Sequence, residues 1–232
     1  MIPLKKVLDS SIGRKFVMSI SGIALVLFVI VHLLGNMALY VKDGGDTFNQ
    51  YAAALHGFGP VLTVAEIGLL AVFVIHIAWA FMISMKNRRA RGGSYDQGIQ
   101  TKGGPSNLSP FSRNMFITGV VLLVFLVIHV GNFRIGKYQR DAMEVDGVLI
   151  YDTFGLAIEK FTNPFWVAFY VIAIAFMGFH LRHGFWSALQ SLGAMKPEWS
   201  KAIYTVGLFV ALLLALGFLG IPIFIFIAYG GV

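Results

Sequence analysis

Five apolar stretches, each long enough to cross a bilayer, leave this chain little choice of fold, and four of them hold a histidine in their interior: His32, His76, His129 and His180. A hydrocarbon core about 30 Å thick needs roughly 20 apolar residues in helical form. The sequence supplies them at approximately 17–40, 61–85, 115–133, 164–187 and 203–228. In lipid, backbone polar groups must be paired within the spanning structure, which restricts the choice to helices or a closed barrel, and the alternating period of barrel strands is absent. The expected fold class is therefore an all-α integral membrane protein with five transmembrane helices, I to V, forming a single membrane domain over 1–232. Helices I–IV are expected to bundle around the histidines. The first stretch is read as a true span, being too long for a signal peptide and lacking a small-residue cleavage site behind it. Composition agrees, with 57% hydrophobic and only 12% charged residues.

Ionisable side chains inside a membrane are costly and are kept where something uses them. The fragment SGIALVLFVIVH, ending at His32, recurs as TGVVLLVFLVIH, ending at His129. Both begin with a hydroxyl residue and glycine (Ser21-Gly22, Thr118-Gly119), and both carry a phenylalanine four residues before the histidine (Phe28, Phe125). Two helices thus share one histidine-presenting design.

Lysine and arginine set orientation, since they favour cytoplasmic connections. The amino terminus (Lys5, Lys6, Arg14, Lys15), the second connection (Lys86, Arg88, Arg89, Arg91, Lys102, Arg113) and the fourth (Arg182, Lys196, Lys201) hold thirteen of the eighteen basic residues. Lys42, Arg134, Lys137, Arg140 and Lys160 remain for the other side. The amino terminus and the connection 92–110 are therefore expected in the cytoplasm, the connections 41–60 and 131–163 outside, and the carboxyl terminus outside. A net charge of +7 gathered on one membrane face reads as topogenic charge attracted to anionic lipid or as a docking surface, and no nucleic acid is expected as a partner.

Helices I and III run outward, so at 1.5 Å per residue His32 and His129 lie roughly 22 Å from the cytoplasmic edge, whereas His76 and His180, on inward-running helices II and IV, lie roughly 10 to 15 Å from it. Four histidines thus sort into two pairs, each pair spanning the bundle at one depth. This arrangement suits two flat macrocycles held by axial imidazoles, and two haems are expected. The chain has no cysteine, which excludes iron-sulfur ligation, thiolate haem ligation and covalent C-x-x-C-H attachment, so the haems are expected to be non-covalent haem b. No G-x-G-x-x-G fingerprint is present, so any soluble electron donor or acceptor must be another subunit.

The helix I segment IVHLLGNMALY followed by FNQYAAALH, the helix II segment AEIGLLAVFVIHIAWA leading to NRRAR, SRNMFITG at the start of helix III, and FHLRHGFWSALQSLG in helix IV resemble the five-helix, two-haem cytochrome b subunit of succinate dehydrogenases and fumarate reductases. The resemblance covers almost the whole chain. It implies that His32 and His129 ligate the haem distal from the catalytic subunits and that His76 and His180 ligate the proximal one. It further implies a flavoprotein subunit that interconverts succinate and fumarate, an iron-sulfur subunit on the cytoplasmic face, a quinone substrate that is often menaquinone in this branch, and a place in the cytoplasmic (inner) membrane of a prokaryote.

Other residues are assigned by position. His183 lies three residues from His180, roughly 60° around the helix; the small Gly184 four residues after His180 favours His180 as ligand, leaving His183 as a polar residue near the inner surface or a contact for a haem propionate. Lys15, Ser19, Ser21, Arg113, Gln190 and Ser191 are further propionate candidates, with membrane-interface anchoring as the other role for Arg113. Asn36 and Asn132 could serve the outer haem or cap their helices. Glu66, the carboxylate placed clearly within a span, is a candidate for proton exchange with quinone, or an interfacial glutamate reaching water. In some two-haem fumarate reductases a glutamate two residues before the helix IV histidine assists proton movement; Gly178 stands there in this chain. Two other classes remain open: the cytochrome b subunit of another quinone-linked complex, of hydrogenase or formate dehydrogenase type, and a proton-coupled transporter that uses the histidines as relays.

Overall fold

The computed structural model describes residues 6, 10–91, 100–101, 104–105 and 114–230. Seven helices of regular length are seen among them: α1 Ser11–Asn36, α2 Asp46–Gly57, α3 Pro60–Arg91, α4 Met115–His129, α5 Thr153–Phe161, α6 Pro164–Ser191 and α7 Pro197–Tyr229. Five, namely α1, α3, α4, α6 and α7, are long and apolar enough to span a membrane and correspond to helices I to V.

The spans are longer than their apolar runs: Ser11–Tyr40, Pro60–Arg89, Met115–Gln139, Pro164–Ser191 and Pro197–Tyr229. Caps set several of these ends. Ser10 Oγ accepts from the Gly13 N–H at 2.9 Å to start α1, and Asn163 Oδ1 accepts from the Phe165 N–H at 2.9 Å to start α6, with Pro164 in the first turn, where its missing N–H costs nothing. Lysine and arginine at span ends keep their charged heads in water while their stems lie along the helix. Hydropathy alone therefore stops short of the real boundaries.

The connections 41–60 and 131–163, expected as simple links, are built. Helix III continues beyond residue 133 as a π turn, Val130–Ile135, and a 3-10 turn, Gly136–Gln139. A hairpin follows, in which β3 (Ala142–Val145) pairs antiparallel with β4 (Val148–Tyr151). Its turn is Asp146-Gly147 at φ 51° and 76°, the positive-φ dipeptide that two-residue hairpins select. A shorter pair, β1 (Gln100–Thr101) with β2 (Gly104–Pro105), lies in the second connection. Gly45, at φ 100°, starts α2 and leaves no room for a side chain because the Phe154 ring lies against it.

The main core sits toward the end of the bundle where α1 and α4 finish. Leu33, Leu39, Phe154, Ala157, Phe161, Tyr170, Ile174, Leu214, Ile221 and Ile225 form one buried cluster. Lipid tails are as apolar as leucine, so helices in a membrane gain mainly by close approach, and α7 achieves it with small residues. The Phe185 ring covers Gly207, Leu33 lies on Gly217, and Ala215 meets Gly178. Pro222 lies inside α7, and one turn before it the Tyr40 hydroxyl donates to the Gly217 carbonyl at 3.2 Å. Helix α3 contrasts with α7: none of its membrane-crossing window is buried within the chain, against 33% for α7.

Candidate functional site: two histidine pairs

The repeated frame folds as helix in both copies, and its phenylalanine stacks on its histidine one turn later. Phe28 and His32 have ring centres 5.4 Å apart at 15°, and Phe125 and His129 are 5.4 Å apart at 27°. The two histidines then meet across the bundle with ring centres 5.8 Å apart and planes at 84°. Around them lie Phe218, 5.8 Å from His32, and Phe133, 5.3 Å from His129. Their Nδ1 atoms have long polar contacts. Asn36 Nδ2 is 3.3 Å from His32 Nδ1 and also donates to the His32 carbonyl at 2.7 Å. The Tyr170 hydroxyl is 3.4 Å from His129 Nδ1 and accepts from Asn132 Nδ2 at 3.4 Å. Asn36 and Asn132 thus serve this pair, directly and through Tyr170.

The start of the same frame serves the other two histidines. Ser21 Oγ on α1 lies 3.2 Å from His76 Nδ1 on α3, and Thr118 Oγ1 on α4 lies 3.0 Å from His180 Nδ1 on α6. Both hydroxyl residues are buried, at 7% and 5% exposure. A methyl group on Gly22 would stand 3.4 Å from His76 Cε1, and one on Gly119 would stand 3.6 Å from His180 Cε1. The two imidazoles thus pack over the glycines at a distance that an added methyl would fill as an ordinary van der Waals contact. Each copy of the repeat thus carries one histidine and, eleven residues earlier and about 16 Å back along the helix, the support for a histidine of the other pair. Among the described residues, no hydrogen-bond partner meets the Nε2 of His32, His76, His129 or His180.

Ser21, expected beside a propionate, is instead turned to His76, and Ser19 spends its hydroxyl on the Lys15 carbonyl at 2.8 Å. Lys15 and Gln190 do come together, lining with Ile12, Ser187 and Ser191 a hollow of about 380 Å³. His183 lies 4.8 Å from the Trp186 ring, edge to face, and its Nδ1 is buried without a partner among the described residues. Trp79 Nε1, one turn past His76 as His183 is one turn past His180, is likewise buried and unpaired. Arg113 lies outside the described residues.

Glu66 is engaged by Arg134 through two bonds, Nε to Oε1 at 3.1 Å and Nη2 to Oε2 at 2.9 Å, in a half-exposed pair. Arg134 also donates to the Tyr138 hydroxyl at 2.7 Å. Nearby, Lys137 is buried at 7% exposure, with Nζ 3.0 Å from His56 Nε2, while His56 Nδ1 lies 2.9 Å from the Ala52 carbonyl. The sequence marks Lys137 only as a basic residue of the outer side. Its meeting with His56 depends on α2 folding back over the end of helix III, which no local pattern reveals. Thr118 and Tyr170 are missed as well. For Thr118 a signal existed, because a hydroxyl residue recurs at the first position of both repeats.

Among the described residues no group of three or more histidine, aspartate or glutamate side chains converges as a metal site; His32 and His129 meet as a pair. No protein-family model, curated protein or solved structure matches the chain.

Proposed function

We propose that this chain is the two-haem cytochrome b subunit of a succinate dehydrogenase or fumarate reductase, carrying electrons between an iron-sulfur subunit, with its flavoprotein partner, and a membrane quinone such as menaquinone. The single observation that carries the haem reading is the pairing of His32 with His129. Two imidazoles bound to opposite faces of one metal by bonds of about 2 Å keep their ring centres about 6 Å apart, and these stand at 5.8 Å. His76, His129 and His180 each have Nδ1 against a hydroxyl that can accept from it, the arrangement in which Nε2 serves as ligand and the other nitrogen is held by an outer partner, while His32 Nδ1 faces the Asn36 side-chain amide. The dicarboxylate chemistry belongs to the partner subunits, and the helix motifs favour that complex over other quinone-linked ones.

When bound, each haem supplies a one-electron carrier whose potential depends on its axial ligands, hydrogen bonding and burial. His76 and His180 would hold the haem nearer the basic face, His32 and His129 the other. Lys15, Gln190 and Ser191 around their hollow offer the cation and donors that propionate carboxylates require, and the unpaired buried nitrogens of His183 and Trp79 lie at a neighbouring level. On the opposite side Glu66, held by Arg134, takes part in proton exchange with quinone.

An optical spectrum with haem quantification on the purified complex tests the reading. Two bis-histidine b haems per chain are expected. A colourless complex overturns it and favours a proton-relay transporter; haem with hydrogenase or formate dehydrogenase subunits moves the chain to another quinone-linked complex.

A further inference from the structure

The hydroxyls of Ser21 and Thr118 have only one hydrogen each, and backbone carbonyls lie within reach of it. Ser21 Oγ donates to the Val17 carbonyl at 2.9 Å, with the Met18 carbonyl at 3.1 Å, and Thr118 Oγ1 donates to the Met115 carbonyl at 3.0 Å. A hydroxyl whose hydrogen is committed can only accept from a further polar neighbour. With its hydrogen on those carbonyls, each hydroxyl accepts Nδ1–H from its histidine, His76 or His180. A neutral imidazole with its hydrogen on Nδ1 has its lone pair on Nε2, the form that binds a metal.

We propose that Ser21 and Thr118 are positioning residues that fix the tautomer, orientation and electron density of His76 and His180, so that this pair is chemically locked as an axial set. The proposal rests on the two-haem reading above. An acceptor on Nδ1–H raises the basicity of the ligating nitrogen, which stabilises ferric over ferrous iron and holds the potential of that haem down. The geometry adds a structural economy: the hydroxyl residue, the glycine beneath the ring and the histidine of the other pair occupy one repeated frame. A rotation or slip of α1 or α4 would therefore disturb both haems together.

The test is redox titration and haem quantification of the purified complex carrying Thr118→Val, Ser21→Ala, Thr118→Ser, or no substitution. In Thr118→Val the ferric-to-ferrous equilibrium of one haem shifts about tenfold toward ferrous, a rise of ~59 mV for a one-electron couple, while the other haem stays in place. Ser21→Ala shifts the same spectral component, because both hydroxyls support one pair, and Thr118→Ser keeps the unsubstituted potential. If Thr118→Val sheds that haem, Ser21→Ala, which removes only an oxygen, gives the same readout. Unshifted potentials in both loss variants, or shifts in two different components, overturn the proposal while the two-haem reading stands. An unsubstituted complex without bis-histidine haem fails that reading first, and the two failures are distinguishable on the same samples.

Discussion

The two histidine pairs are held in opposite ways. His76 and His180 each rest on a glycine and meet a buried hydroxyl at 3.2 and 3.0 Å, with few aromatic neighbours. His32 and His129 sit among Phe28, Phe125, Phe133, Phe218 and Tyr170, and their polar contacts are 3.3 and 3.4 Å long. Asn36 Nδ2 can only donate, so its contact sets His32 Nδ1 as an acceptor, and the Tyr170 hydroxyl can either donate to His129 Nδ1 or accept from it, so neither contact holds an Nδ1–H. One pair is fixed by hydrogen bonding, the other by packing. The difference follows from location, since the aromatic pair adjoins the main buried core whereas the hydroxyl-bound pair includes His76 on α3, the span with no buried window. Where packing cannot immobilise a ring, a specific hydrogen bond does.

The largest expected effect breaks the pairing outright. His76→Ala and His180→Ala should each abolish one haem, and His32→Ala and His129→Ala the other, because a bis-histidine haem needs both axial ligands. Low-temperature spectra of the four complexes check this; loss of the same component in His32→Ala and His76→Ala would dissolve the two pairs. His183→Ala should leave both haems in place, since its ring faces Trp186 while His180 holds the Thr118 contact. The reverse outcome would move the ligand to residue 183.

A second, smaller effect concerns proton exchange at the far side. Glu66→Gln keeps the shape but removes the titrating group, and general acid–base groups contribute roughly 10²-fold or more to turnover. Quinone-linked turnover should fall by about that factor, with both haems bound and succinate oxidation by a soluble artificial acceptor intact. Folding should change by only about 1 kcal/mol or less, because the Arg134 pair is half-exposed and screened. Normal quinone turnover would remove Glu66 from the proton path and leave it as an interfacial ion pair.

Five spans and the matching depths of the histidines are legible in the sequence because both depend on distance along a helix, which residue number measures directly. Span ends are less so: the Ser10 cap and the π turn after His129 carry helix beyond the apolar run. What surrounds each imidazole depends on helix rotation, which depth does not fix. Ser21 accordingly reads as a propionate candidate although it faces His76, and Thr118 and Tyr170 have no role until α4 and α6 are docked. Lys15 and Gln190 were close enough to the same end of the bundle for sequence to group them, and they share a hollow. Lys137 and His56, 81 residues apart, required tertiary structure.

The smallest expected effect sharpens the contrast between the pairs. Tyr170→Phe removes the hydroxyl beside His129 while keeping the ring that meets Phe125, Phe133 and Phe161 at 5.2, 6.1 and 5.0 Å. The lost bonds are both 3.4 Å long, at the weak end of the range, and the change leaves Asn132 Nδ2 short of a partner, so about 1 kcal/mol of stability should be lost. The ring remains caged, so both haems should be retained and the potential of the His32/His129 haem should move less than that of the His76/His180 haem does in Thr118→Val. Redox titration of the two variants under one set of conditions makes the comparison directly. An equal or larger shift in Tyr170→Phe would mean that the phenol, and not the aromatic packing, controls the second pair, and the division between a hydrogen-bonded and a packed set would fall.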